Sequence, residues 1–142
     1  MIVKTIIKEE EPTVNDLIYP RGSLQKMKDL IQDRINQKTF FVFPPGFCDK
    51  VTDLTIKDAI GIVNNLEITD GQGWLDITLI KDIPLFSVLD SLDENNLQAD
   101  FLLVATIGKN NYVDLTNVRI DGVKLTFAPG LFEWGLKNEI QR

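Results

Sequence analysis

The sequence contains no histidine, and this absence removes the commonest catalytic base. Serine–histidine and cysteine–histidine nucleophile pairs cannot form within the chain. Its single cysteine, Cys48, excludes an internal disulfide framework, and one cysteine without histidine does not make the usual zinc ligand sets. We interpret Cys48, which follows a Pro-Pro-Gly turn, as a small and partly buried apolar residue. The chain is therefore expected to lack a metal or other cofactor.

Several other sequence signals are also missing. The chain has neither a G-x-x-x-x-G-K-[ST] nor a G-x-G-x-x-G phosphate-binding motif. No window reaches the 18 or so apolar residues of a membrane span, and the N-terminus does not have the charge order of a signal peptide. Residues 51–142 hold 7 basic and 14 acidic residues, which disfavours binding to nucleic acid. These features predict a protein made in a reducing cytoplasm, with neither a membrane nor a nucleic acid as partner.

The pattern of apolar residues predicts a single α+β domain over residues 1–142. Residues 2–8 are rich in β-branched side chains and indicate a strand. Helical spacing predicts one amphipathic helix over residues 23–37, with Ser23 as its N-cap. Its apolar face is expected to comprise Leu24, Met27, Leu30, Ile31 and Ile35. Short helices are predicted near Pro84 and in the C-terminal tail.

The remaining apolar segments predict a mainly antiparallel, barrel-like sheet of six or seven strands. The sequence TFFVF, residues 39–43, indicates a short buried strand that ends at two prolines. Residues 59–68 and 74–80 flank TDGQG, which predicts a hairpin with a longer loop. Asp121-Gly122 predicts a second, tight hairpin between residues 112–120 and 123–127.

Carboxylates and exposed aromatic residues provide the other candidate sites. Asp76 and Asp114 lie on predicted strands, but nothing in the sequence brings the two carboxylates together. The run Glu9-Glu10-Glu11 is expected to be solvated. Alternation along the 39–43 strand places Phe41 and Phe43 on one face, with Phe40 and Val42 on the other. The residues expected to contact a partner protein are Phe47, Phe132 and Trp134.

The order of these segments resembles the prohead proteases of tailed phages, which trim capsid precursors. Residues 15–20, NDLIYP, are similar to an N-x-x-x-Y-P segment that leads into a helix in some members of that family. Phe43-Pro44 falls where the family has a His-Pro pair. A strand, a DG turn and a further strand follow in residues 60–80. Thr106-Ile107-Gly108 stands where the family has Ser-Ile-Gly, and the last strand runs into Pro129.

This resemblance implies a protease-like fold that has lost its catalytic residues. Phe43 stands at the histidine position and Thr106 at the nucleophile position, and a threonine hydroxyl without a base is not activated. The leading hypothesis is a non-enzymatic structural protein of the phage virion, minor or auxiliary, whose partners are other virion proteins. The alternatives are an acidic inhibitor of a host enzyme or defence protein and, third, an enzyme that uses carboxylates such as Asp76 and Asp114.

Overall fold

A computed structural model describes residues 1–44, 56–80 and 97–127 of the chain. Its regular elements are one helix and six strands, together with short 3-10 turns at Ile56–Asp58 and Lys109–Asn111. In chain order they are β1 (Ile2–Lys8), α1 (Ser23–Asn36), β2 (Phe41–Phe43), β3 (Gly61–Thr69), β4 (Gln72–Leu79), β5 (Leu97–Ile107) and β6 (Val113–Phe127). The short helix predicted near Pro84 and the predicted tail helix lie outside the described residues.

The six strands form a closed barrel in the order β1-β4-β3-β2-β6-β5. Neighbours that follow each other along the chain, such as β3 and β4 or β5 and β6, pair antiparallel. The β1–β5 and β2–β6 pairs are parallel, so the sheet is mixed, although its other four strand pairs are antiparallel. Strands distant in sequence meet at these two seams, where no hairpin imposes an antiparallel arrangement. The barrel and the single helix fit the α+β class that the sequence predicted.

The helix begins and ends close to its predicted limits, but its N-terminus is capped differently. Gly22, with φ of 87°, is the N-cap, and no N-cap side chain accepts a hydrogen bond. Ser23 is the first helical residue, and its hydroxyl donates to the carbonyl of Pro20 (2.5 Å). The backbone N–H of Leu24, which lies in the first turn and has no acceptor within the helix, donates instead to the Oε2 atom of Glu9 (2.8 Å). A carboxylate from the end of β1 therefore supplies the acceptor that the sequence assigned to Ser23.

The buried face of the helix joins the interior of the barrel. Leu24, Met27, Ile31 and Ile35 belong to the same apolar cluster as the inward-facing strand residues. Leu30, predicted to share this face, is 48% exposed because it lies at the side of the buried stripe. The helix packs against β3 and β6. These two strands flank the short β2, so the helix covers the region where the barrel has its shortest strand.

The hairpin between β3 and β4 has a tight turn and not the longer loop expected from its glycines. Only Asp70 and Gly71 separate the two strands, and both have positive φ (51° and 76°). This is the backbone of a type I′ turn, whose twist matches that of the flanking strands. Gln72 and Gly73, expected in the loop, are buried residues of β4.

The predicted hairpin at Asp121-Gly122 is wrong, because both residues lie within the continuous strand β6. The register against β5 shifts there, since Leu102 faces Gly122 and Leu103 faces Ile120. Asp121 is therefore the extra residue of a bulge. Gly122 is suited to this position by space: a Cβ there would lie 3.0 Å from the carbonyl oxygen of Phe41 and 3.0 Å from the Phe43 ring.

Candidate functional site

The outer surface of the barrel carries a second, small apolar cluster at the place where the family resemblance positions a catalytic histidine. We call it the outer cluster; it consists of Phe41, Phe43, Ala59 and Leu102. Phe43 is 3% exposed and Leu102 is 5% exposed, while Phe40 and Val42 belong to the main core. The alternation predicted for this strand is therefore confirmed. Both of its faces are covered, as is typical of a strand without a polar face.

Strand pairing determines which residues surround Phe43. On β6 it is paired with Lys124, which in turn faces Asp100 on β5. Two positions further along β5, Leu102 joins the outer cluster and faces Gly122, against which the Phe43 ring lies. The β5 side chain packed with Phe43 is therefore Leu102. Sequence reasoning did not single out this residue, because Phe101 and Leu102 stand in one apolar run and periodicity does not separate inner from outer.

The outer cluster cannot transfer a proton. The four side chains of the cluster are hydrocarbon, so none of them can accept a proton from a nucleophile or hold one for a leaving group. Position 43 therefore offers an apolar ring where base catalysis needs a titratable group within hydrogen-bond distance.

Thr106, predicted at the nucleophile position, is not brought close to Phe43. It is exposed and faces Asp114, whereas Phe43 is level with Lys124 and Asp100. Six positions along β5 separate Thr106 from Asp100. At ~3.3 Å per residue, this corresponds to a separation of roughly 20 Å. Phe43 and Thr106 therefore do not form a pair with the geometry of a nucleophile and its base.

The two carboxylates considered for an enzyme are also apart. Asp76 lies on β4 and Asp114 on β6, and these strands are not neighbours in the barrel. Asp76 lies 3.8 Å from the N-terminal ammonium of Met1. The hydroxyl of Thr116 and its backbone N–H donate to Oδ1 of Asp114 (2.6 and 2.9 Å), and these bonds hold the pKa of that carboxyl below its usual value. Asp114 is thereby kept ionised, which does not suit a general acid at neutral pH.

In the run of glutamates that follows β1, Glu10 and Glu11 are exposed as predicted, whereas Glu9 is half-buried and bonded to the helix start. Besides the bond from Leu24 to Glu9, the backbone N–H of Arg21 donates to Oε1 of Glu10 (2.9 Å). The backbone N–H of Glu9 donates to the carbonyl of Gly71 (2.8 Å). The two carboxylates therefore connect β1 to the helix start, while backbone bonding connects β1 to the β3–β4 turn. Because Glu9 occupies the helix N-terminus, an external anion would have to displace it there.

A buried polar cluster at the junction of β1 and β4 was not predicted from the sequence. The register shifts there, since Lys4 faces Trp74 and Lys8 faces Gln72. The Gln72 amide nitrogen lies 2.9 Å from the carbonyl oxygen of Thr5 and 3.0 Å from that of Ile7. The Gln72 amide therefore donates to backbone carbonyls of β1 at the point where the ladder between β1 and β4 is irregular. Gln72 was placed in a loop by its glycine neighbours, so its burial (7% exposed) was missed.

Tyr19 is a second buried polar side chain near the helix start. Burial, and to a smaller extent the negative charge of Asp100, raises the pKa of Tyr19 from 10.0 to about 12. Its phenol is therefore neutral throughout the physiological pH range. Residues 20–23, Lys26 and residues 113–115 form a cleft next to Tyr19 in the chain. Its charged lining residues are Arg21, Lys26 and Asp114.

In the ranges 1–44, 56–80 and 97–127, no group of three or more metal-ligating side chains comes together. No helix in the same ranges is long and apolar enough to cross a membrane. Cys48 and the predicted partner-binding residues Phe47, Phe132 and Trp134 lie outside the described residues.

The fold is similar to that of a phage capsid assembly protease. Among solved structures, the chain is similar to gp21, the capsid assembly protease of bacteriophage T4, with a TM-score of 0.67 and 14% sequence identity. The match covers 88% of this chain and 80% of the T4 chain. No protein-family model matches the sequence, and no curated protein sequence matches it. The prohead-protease-like fold predicted from the order of segments is thus confirmed, and at this identity the similarity concerns the fold alone.

Proposed function

We propose that the protein is a non-enzymatic structural component of a tailed-phage virion, either a minor or auxiliary capsid protein or another head-associated protein. It acts through contacts with other virion proteins, and it is incorporated into the particle after synthesis in the host cytoplasm. The single observation that carries this proposal is the outer cluster, which places hydrocarbon side chains around position 43 of a protease-like barrel.

The chemistry of the outer cluster supports the non-enzymatic part of the proposal. A serine-type nucleophile needs a base within hydrogen-bond reach, about 2.6–3.2 Å. The β5 residue that packs with Phe43 is Leu102, so both partners of a contact at that point carry hydrocarbon. Histidine is absent from the whole chain, which leaves no imidazole elsewhere to replace it.

The fold similarity and the charge support the structural part of the proposal. The T4 protein with a similar fold is a capsid assembly protease. We infer that this chain uses the same kind of barrel for contacts with other head proteins and not for proton transfer. The net charge of −6 favours protein partners over packaged nucleic acid.

Mass spectrometry of purified particles from the phage that encodes this chain tests the structural role. We expect the intact chain in the particle, in a fixed ratio to the major capsid protein. If the washed particles contain no copies, the structural role is wrong.

Labelling with a fluorophosphonate, which reacts covalently with activated serine and threonine hydroxyls, tests the absence of catalysis separately. The wild-type chain and Thr106→Val are expected to give the same background signal. Stoichiometric labelling of the wild-type chain that is lost in Thr106→Val would show an activated hydroxyl and overturn the non-enzymatic part.

A further inference from the structure

We draw no further inference here: the strongest candidate, the cleft between the start of α1 and β6 that is lined by Arg21, Lys26 and Asp114, rests on a helix N-terminus that already holds the Glu9 carboxylate, and among the described residues no buried polar side-chain atom is left without a hydrogen-bond partner to indicate a ligand.

Discussion

The two halves of β5 have similar apolar sequences but opposite environments. Residues 97–102 pair with β6 and, at Gln98 and Ala99, also with β1; they are largely buried, with Phe101 only 5% exposed. Residues 103–107 have β6 alone beside them among the described residues, and Val104 is 46% exposed. The comparison shows that neighbouring strands, and not the apolar character of a segment, determine how far it is buried. The first half contributes to the barrel core, whereas the second half carries exposed apolar side chains.

The register shifts of the sheet also differ in their environment: the one between β1 and β4 lies in the buried part of the barrel, and one between β5 and β6 lies beside the exposed half of β5. In the barrel, the shift between β1 and β4 is filled by the buried amide of Gln72. Beside the second half of β5, residues 115–118 of β6 stand opposite Ala105 alone, so β6 has three extra residues there. The exposed carboxylate of the preceding Asp114 accepts two hydrogen bonds from Thr116. Buried polar groups must be satisfied within the protein, whereas exposed ones can bond to water instead. The same kind of defect should therefore matter more in the barrel.

The largest expected difference in the free energy of unfolding is between truncations of one side chain in each half of β5. Phe101→Ala should lower the free energy of unfolding by about 3–5 kcal/mol, because it removes a buried ring and leaves a cavity. Val104→Ala should change it by no more than about 0.5 kcal/mol, because Val104 is 46% exposed. Urea denaturation of both variants measures this difference. Similar losses in the two variants would show that the halves are not distinct.

Titration of Tyr19 provides the next largest effect. Its folded-state pKa of about 12 lies above its ordinary value of 10.0, so the folded state retains a proton that the unfolded state releases. The corresponding stabilisation is fully present below pH 10 and is lost as the pH rises towards 12. It amounts to roughly 2–3 kcal/mol.

Two variants isolate this titration from the other groups that ionise at high pH. The chain has two tyrosines, so Tyr112→Phe leaves Tyr19 as the sole source of the tyrosinate absorbance band. That band is expected to grow in near pH 12. Tyr19→Phe should remove the corresponding part of the loss of stability between pH 10 and 12. A midpoint near pH 10 in folded Tyr112→Phe would contradict burial of the phenol.

Local patterns in the sequence predicted the elements that local interactions determine. The helix follows from the spacing of Leu24, Met27, Ile31 and Ile35, and the outward direction of Phe43 follows from alternation along its strand. A fold-level resemblance predicted the protease-like barrel, because segment order is retained when individual residues have changed.

Features that depend on distant segments were not predictable in this way. Asp121-Gly122 has the composition of a hairpin turn, yet β5 continues the ladder past it and Phe41 packs closely on Gly122. The parallel β1–β5 and β2–β6 seams join segments far apart in the chain. Leu102 was missed as a neighbour of Phe43 because only the register across β6 places it there.

Removal of the buried Gln72 amide at the β1–β4 junction tests whether a side-chain hydrogen bond contributes more to stability when it is buried. Gln72→Leu keeps the approximate size of the side chain but removes the amide that donates to the carbonyls of Thr5 and Ile7. The Ile7 carbonyl still accepts from the Thr5 hydroxyl (3.0 Å), whereas the Thr5 carbonyl loses this donor. The free energy of unfolding should fall by about 1–3 kcal/mol. Asn64→Leu is the control, because Asn64 also donates a side-chain hydrogen bond, to Thr78 (2.7 Å), but is exposed. Equal losses in the two variants would mean that burial does not set the cost.

Loss of the Thr116 hydroxyl has the smallest expected effect, because Asp114 is fully exposed. Hydrogen bonds from Thr116 favour the charged carboxylate, so Thr116→Val should raise the pKa of Asp114 towards its ordinary value. A lowered folded-state pKa stabilises the fold above the ordinary pKa, and this stabilisation is lost as the pH falls through the folded value. The difference in stability between wild type and Thr116→Val should therefore exist at neutral pH and vanish in acid.

NMR titration of the Asp114 carboxyl measures the shift of its pKa directly. Thr39→Val is the control, because the Thr39 hydroxyl donates to a helix carbonyl and not to a carboxylate. An unchanged Asp114 pKa in Thr116→Val would mean that the Thr116 hydroxyl does not stabilise the charged carboxylate.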